Sequence, residues 1–317
     1  MSQMTYSDAG KAALAESMRA DPTIWVVGED LGRGGVFGQY MGMEEDFGPE
    51  RIVSAPISEA AIMGSAVGGA LTGTRPVVEL RFADFALCAV DEMVNQAAKA
   101  RYMFGGQAKV PVVIRQPSGM WRSSAAQHSQ MLEAWYAHIP GMVVVMPSTP
   151  ADNYGLLKAA IKCDDPVVYM EHKDLWSLKG EVPSGHTVEI GKASVVAEGS
   201  DVTVVTWSNT RHVATEAMSA LADVSVELID LRSLWPWDRD CVLTSAAKTG
   251  HLLVAHEAVR DGGFGAEVVA TAVEEIPGLK VARLGAPRIP IPYAPPLEDT
   301  VRVTAENIAA AVTRLAG

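Results

Sequence analysis

The stretch Pro56-Ile57-Ser58-Glu59-Ala60-Ala61-Ile62-Met63-Gly64 places one carboxylic acid at the head of an otherwise apolar segment. Residues 58–71 read as a helix with Ser58 as its N-cap. Beyond Glu59 that helix is apolar on every face through Ala66, Val67, Gly68, Gly69, Ala70 and Leu71, which predicts burial all round. An acid in this place has two uses. In the first turn it interacts with the helix dipole, a common and chemically silent arrangement. Desolvated, it has a raised pKa and exchanges protons near neutrality. Periodicity alone favours the first. His128 stands in Ser123-Ser124-Ala125-Ala126-Gln127-His128-Ser129, a small polar stretch suited to a loop. A lone histidine is usually structural, yet imidazole titrates near working pH and suits proton handling. Glu29 reads as a loop acid at a strand end, and Phe85 as a core phenylalanine.

Other signatures of chemistry fail. Gly32-Arg33-Gly34-Gly35-Val36-Phe37 follows a strand but lacks the third glycine of a dinucleotide loop, and Gly263-Phe264-Gly265 fails the same way. No phosphate-binding loop ends in Gly-Lys-Ser or Gly-Lys-Thr, and no Gly-x-Ser-x-Gly elbow exists. His256-Glu257-Ala258-Val259-Arg260 starts like a zinc helix but ends in arginine, so it offers no second ligand. Cys88, Cys163 and Cys241 lie too far apart for a disulfide framework or a zinc cluster. His138, His172, His212, His251 and His256 read as structural.

The elements that must position these residues alternate in type. Residues 24–27, 76–80, 110–114, 142–146 and 166–170 are strand-like and rich in valine. Helical segments at 58–71, 90–103 and 151–162 fall between them. Residues 173–194 carry Lys, Gly, Pro, Ser and Thr without periodicity. Alternation resumes with strands at 202–206, 224–229, 251–255 and 281–284 and helices at 211–222, after Gly265 and at 305–315. The expected fold is α/β, two doubly wound domains with mainly parallel sheets. The expected domains are 1–175 and 191–317, joined by a linker at 176–190. A chain of 317 residues is long enough for two domains. Its net charge of −12 repels phosphate backbones, so no nucleic-acid partner is expected. No apolar run spans a bilayer and Met-Ser-Gln-Met-Thr-Tyr is no signal peptide, so the expectation is a cytoplasmic protein without a membrane partner.

Arg51-Ile52-Val53 with Pro56-Ile57-Ser58-Glu59, then Gly73-Thr74-Arg75-Pro76-Val77-Val78-Glu79, resembles the beta subunit of the thiamine-diphosphate-dependent 2-oxo acid dehydrogenases. These are the decarboxylating components of the pyruvate, branched-chain and acetoin dehydrogenase complexes. The resemblance continues through Phe82-Ala83-Asp84-Phe85, Asn95-Gln96-Ala97-Ala98-Lys99, Gln127-His128-Ser129-Gln130 and Pro147-Ser148-Thr149-Pro150. It reaches Asp230-Leu231-Arg232-Ser233-Leu234-Trp235-Pro236-Trp237-Asp238 and Gly262-Gly263-Phe264-Gly265-Ala266-Glu267. Many separated motifs in one order over nearly the whole chain are specific.

The resemblance implies a transketolase-like pyrimidine-binding domain followed by a transketolase C-terminal-like domain. It implies that Glu59 hydrogen-bonds a ring nitrogen of the cofactor's aminopyrimidine. Sharing that proton drives the ring to the imino tautomer that deprotonates the thiazolium carbon. It implies that Phe85 packs on the pyrimidine, that Ile57 lines the same pocket, that Glu29 belongs to an internal acid network, and that His128 faces the substrate end. It implies a potassium site built mainly from main-chain oxygens of Val112, Ala160, Ile161, Cys163 and Asp165, where Cys163 replaces a frequent acid. The family's Gly-Asp-Gly signature for magnesium and diphosphate is absent. Magnesium is therefore expected on an alpha subunit, in a heterotetramer of two alpha and two beta chains that shares thiamine diphosphate. A lipoyl-bearing acyltransferase core and a small-molecule substrate complete the expected partners. Arg81, Glu92 and Met120-Trp121-Arg122 depart from the family's usual residues near the substrate. A split transketolase-like transferase and a non-catalytic scaffold subunit are the rival readings.

Overall fold

The computed structural model describes residues 1–35, 37–221 and 223–317. Val36 of the glycine-rich loop and Ala222, the expected end of the 211–222 helix, lie outside them. The elements run β1 (Ser2–Thr5), α1 (Tyr6–Ala20), β2 (Ile24–Glu29), α2 (Met43–Phe47), β3 (Ile52–Ala55), α3 (Glu59–Leu71), β4 (Arg75–Glu79), α4 (Ala98–Met103), β5 (Val113–Ser118), α5 (Glu133–Ala137), β6 (Val143–Val145), α6 (Pro150–Lys162), β7 (Val167–His172) and β8 (Lys179–Val182). They continue with β9 (Ser194–Ala197), β10 (Val202–Thr206), α7 (Thr210–Met218), β11 (Val226–Asp230), β12 (Ser233–Trp235), α8 (Arg239–Thr249), β13 (His251–Val259), α9 (Gly265–Glu275), β14 (Lys280–Ala286), α10 (Pro295–Val301) and α11 (Ala305–Ala316).

The chain forms two compact units. The first comprises Met1–Ser118, Trp135–Val145 and Thr149–Ile190. Its parallel strands lie in the order β6-β7-β5-β4-β2-β3. Strands such as β5 and β7 are buried along their whole length, as a sheet covered on both faces requires. Helix α1 starts where Thr5 accepts a hydrogen bond from the Asp8 N–H at 3.0 Å. Helix α6 starts the same way, Thr149 accepting from the Asp152 N–H at 3.1 Å with Pro150 in the first turn. Leu14 and Met18 of α1 pack with Leu156, Leu157 and Ile161 of α6 over Val26, Val77, Val113 and Val167.

The second unit comprises Gly119–Ala134, Met146–Ser148 and Gly191–Gly317. Its sheet has the order β14-β13-β10-β11-β9. All pairs are parallel except β9 on β11. Val202, Val204, Leu228 and Leu253 form a core with Ala214 and Ala217 of α7 and with Ile308, Ala311 and Val312 of α11. A reciprocal pair of side chain to backbone bonds, between Thr304 and Asn307, opens α11.

Four expectations need correction. The stretch expected as a linker, 176–190, contains β8, which pairs antiparallel with β1, Ser2 opposite Val182 and Thr5 opposite Lys179. Ser58 precedes α3, but its hydroxyl donates to the Pro56 carbonyl at 2.8 Å and makes no capping bond to the helix. Helix α3 is not buried all round. Ile62, Met63, Ala66, Val67 and Ala70 face inward, while Ala60, Ala61, Gly64, Ser65, Gly68 and Leu71 are exposed. A composition of small apolar residues hides which face a single chain can cover. The helix expected at 90–103 is also less regular, with a π-helical turn at Glu92–Ala97 leading into α4.

Candidate functional site

Five of the residues singled out from the sequence, Glu29, Ile57, Glu59, Arg81 and Phe85, gather at the carboxyl end of the first unit's parallel sheet, where open α/β sheets bind ligands. Glu29 ends β2, and its neighbour in β3 is Ala55. From Ala55 the chain runs through Ile57 directly into Glu59, the first residue of α3. Glu29 and Glu59 stand close enough for the Glu59 charge to raise the Glu29 pKa. Burial is the larger cause of that rise, and the Arg81 guanidinium opposes it. Arg81 follows β4 and grips both acids at the end of β2: its Nε lies 3.0 Å from Glu29 Oε2, and its Nη2 donates to Asp30. Arg81, met in the sequence as a departure near the pocket, is thus an ion-pair partner of Glu29.

Phe85 opens a short 3₁₀ turn, Phe85–Ala89, that packs against α3. It is half-buried rather than buried. Its ring meets Phe82 edge-on at 5.3 Å, and Phe82 in turn meets Phe37 at 5.7 Å. Lys173 Nζ lies 4.7 Å from the Phe82 ring centroid. Glu59 is half-buried, and Ile57 is 75% exposed. All three residues therefore keep part of their surface open to solvent in this chain. An aminopyrimidine needs an acid, an apolar plate and access, and these residues fit it.

His128 belongs to the second unit. Its loop is irregular: Arg122, Ser123 and Ala125 have φ of 47°, 57° and 61°, left-handed values that non-glycine residues rarely adopt. Strain of this kind concentrates at ligand sites and needs support from its surroundings.

Two of the five residues expected to hold potassium, Ile161 and Cys163, turn their main-chain oxygens to Arg75. Its Nη1 donates to the main-chain oxygens of Ile161 and Cys163, both at 3.1 Å, and its Nη2 to Asp164 Oδ1 at 2.7 Å. The Val112 oxygen accepts from the Val167 N–H at 2.9 Å and the Ala160 oxygen from the Cys163 N–H at 3.1 Å. Asp165 pairs with Arg101 at 2.6 Å. Each carbonyl oxygen has a second lone pair. The donor set has the polarity of a hard-cation site, and two of its oxygens already face a guanidinium.

Sequence reasoning passed over a buried polar network beneath the first site. Tyr40 Oη donates to Glu79 Oε2 at 2.6 Å, and Arg115 Nη1 donates to Tyr40 Oη at 2.6 Å. Arg115 Nε and Nη2 both reach Glu171 Oε2, at 2.9 and 2.6 Å. Burial pushes the Glu79 carboxyl up to about 7, against the opposing pull of Arg115. The available signal was the charged residues Arg115 and Glu171, directly after valine-rich stretches that must be buried on both faces.

Residues 2–177 match the family model for the transketolase pyrimidine-binding domain, and residues 191–308 that for the transketolase C-terminal domain. The 2-oxoisovalerate dehydrogenase subunit beta of Bacillus subtilis (strain 168) is 41% identical, over 100% of this chain and 99% of that one. The acetoin:2,6-dichlorophenolindophenol oxidoreductase subunit beta of Cupriavidus necator is 41% identical over 95% of this chain and 94% of its own. The mitochondrial pyruvate dehydrogenase E1 component subunit beta-2 of Oryza sativa subsp. japonica is 39% identical over 98% and 86%. Among solved structures, a chain described as a split gene transketolase, inactive beta4 tetramer, superposes with a TM-score of 0.81 at 25% identity, over 98% of each chain.

Proposed function

The chain belongs to the transketolase-like beta subunits of the thiamine-diphosphate-dependent 2-oxo acid and acetoin dehydrogenases, and from that premise we propose that it carries the pyrimidine-binding half of such an enzyme's active site. With an alpha subunit, the enzyme cleaves the carbon–carbon bond next to a carbonyl in a small 2-oxo acid or acetoin-type substrate and passes the acyl group to a lipoyl acceptor. The observation that carries this reading is the grouping of Glu59, Glu29, Arg81 and Phe85 at the carboxyl edge of one parallel sheet.

Thiamine diphosphate supplies, when bound, a thiazolium carbon that attacks the substrate carbonyl. The chain's own residues prepare it. The Glu59 carboxyl holds a proton at a ring nitrogen of the aminopyrimidine. Phe85 presents an apolar plate for the ring and Ile57 an apolar wall. Glu29, fixed by Arg81, sets a second carboxyl beside Glu59. His128 moves protons at the substrate end. Magnesium and the diphosphate fall to the alpha subunit, because this chain has no Gly-Asp-Gly sequence. Residues 1–175 form the pyrimidine-binding domain and 191–317 the C-terminal-like domain, with 176–190 between them. Potassium on the oxygens of Val112, Ala160, Ile161, Cys163 and Asp165 is structural in this reading.

The exposed face of α3 supports the assembly with alpha chains. Ala60, Ala61, Gly64, Ser65, Gly68 and Leu71 offer small side chains over which another helix can approach closely. A second reading, carbon-unit transfer between sugars, has the likeness to the split transketolase behind it. The identity to dehydrogenase beta subunits, 38–41%, favours oxidation.

The test is co-purification with the alpha subunit, then turnover with thiamine diphosphate, magnesium and 2,6-dichlorophenolindophenol. Pyruvate, 2-oxoisovalerate and acetoin make up the panel. We expect dye reduction with at least one of them, and only when both chains are present. Transfer between sugar phosphates with no dye reduction on any of the three would establish the transferase reading instead.

A further inference from the structure

The segment Gly119–Ala134 carries His128 in a backbone that cannot hold itself. Gly119, Arg122, Ser123 and Ala125 all have positive φ, three of them without glycine's freedom. Such conformations persist only where the surroundings over-determine them. Two buried side chains of the second unit meet the segment at its two ends. Near the start, the Met120 N–H donates to Glu257 Oε1 at 2.7 Å. Near the end, Trp207 Nε1 donates to Glu133 Oε1 at 3.2 Å, and Glu133 is fully buried.

These two groups come from adjacent strands. Trp207 directly follows β10, Glu257 lies late in β13, and the two strands pair in parallel, Val205 opposite Val254. The Trp207 indole stacks on His256, the residue before Glu257, at 5.1 Å and 19°. His256 in turn presses against Gly263 and Gly265. A Cβ on either glycine would stand 2.9 Å from His256 Nε2, so both positions need glycine for contact rather than for φ. Burial pushes the His256 pKa down to about 4, so the stack stays neutral at working pH.

We infer that Glu257 and Trp207 are positioning residues: from adjacent strands at the carboxyl edge of the second sheet, they clamp both ends of the strained loop that presents His128. Neither touches the reacting atoms. Glu257 supplies a charge-assisted acceptor to a backbone N–H, a stronger bond than a neutral acceptor gives. The Trp207–His256 stack fixes where the second donor points. The inference rests on the reading of His128 as the proton-handling group at the substrate end.

The test uses the assembled enzyme and two readouts, amide hydrogen exchange and steady-state turnover. Glu257→Ala removes the acceptor, while Glu257→Gln keeps an oxygen for the Met120 N–H. Trp207→Phe keeps a ring on His256 and loses only the donor to Glu133. In Glu257→Ala and Trp207→Phe, amides of residues 119–130 exchange at least about 10-fold faster, and those of β10 and β11 are unchanged. Turnover falls by about 10–100-fold through kcat, the cost of a misplaced group, and Glu257→Gln restores most of both. Wild-type exchange of residues 119–130 in Glu257→Ala would overturn the clamp, as would a Glu257→Gln enzyme that behaves like Glu257→Ala. His128→Ala separates the clamp from the reading beneath it. If that variant turns over like the wild type, the role of His128 falls, and the exchange result on Glu257→Ala still decides the clamp.

Discussion

Two buried groups with displaced pKa values, Glu79 and His256, show how single residues couple this fold to pH. His256 stays neutral in the folded chain until about pH 4, whereas an unfolded imidazole takes a proton below about pH 6.5. The stability it contributes is therefore fully present above about 6.5 and is lost as pH falls towards 4. At pH 5 the loss amounts to about 2 kcal/mol. Glu79 has the opposite sign. Its carboxyl, pushed up to about 7, costs more stability as pH rises from the ordinary carboxylate range to neutrality. A comparison that changes only His256 removes that second effect. The unfolding free energy of the second unit should fall about 2 kcal/mol further between pH 7 and pH 5 in the wild type than in His256→Asn. Urea titrations at the two pH values check this, and equal losses in both proteins would contradict the buried, neutral histidine.

Helix α3 concentrates both what was legible in the sequence and what was not. Its limits at Glu59 and Leu71 follow from the pattern of the chain. So do the valine-rich strands, because burial on both faces leaves few residue types that fit; β10 is found at 202–206 as expected. The short strands were hidden. β8 draws its reason to be a strand from Ser2–Thr5, far away in the sequence, and no local period can reveal that. Site residues divide the same way. Glu59, Phe85 and His128 stood out through a motif resemblance, not through periodicity. The Glu257–Met120 and Trp207–Glu133 bonds depend on long-range placement of one loop on a sheet edge and left no signal beyond a rejected zinc motif. Small apolar residues read as core, which hides the exposed side of α3 from any sequence pattern. That side gives a direct prediction. A Cβ at Gly68 would meet nothing within 4 Å, so the isolated chain accommodates a side chain there. Gly68→Leu should leave the beta chain as stable as before or raise it by up to about 1 kcal/mol through helix propensity. At a close helix contact the same leucine overpacks, and affinity for the alpha subunit should drop at least about 10-fold. Thermal melting of the beta chain and titration with alpha measure the two effects. Unchanged affinity would remove α3 from the interface.

At the scale of the molecule, the chain brings an acid, an aromatic plate and a histidine but no Gly-Asp-Gly motif for the cofactor's charged end. The beta chain by itself should therefore show no cofactor-dependent turnover, and adding the alpha subunit should restore it. Potassium gives a separate readout on the same assembly: replacing it with choline should lower the melting temperature of the first unit if the carbonyl set around Arg75 binds it. An unchanged melting temperature would remove potassium from that set. The central claim is that the Glu59 carboxyl, and not its bulk, activates thiamine diphosphate. Glu59→Gln keeps the size and can donate a hydrogen bond, but it cannot relay a proton. The decisive measurement is the rate at which the cofactor's thiazolium proton exchanges with solvent, followed by NMR in the assembled enzyme carrying Glu59→Gln. The account predicts exchange and turnover slowed by roughly 10²–10⁴-fold with folding and alpha binding intact. Exchange at the wild-type rate would contradict it and leave Glu59 as a first-turn acid facing the dipole of its helix.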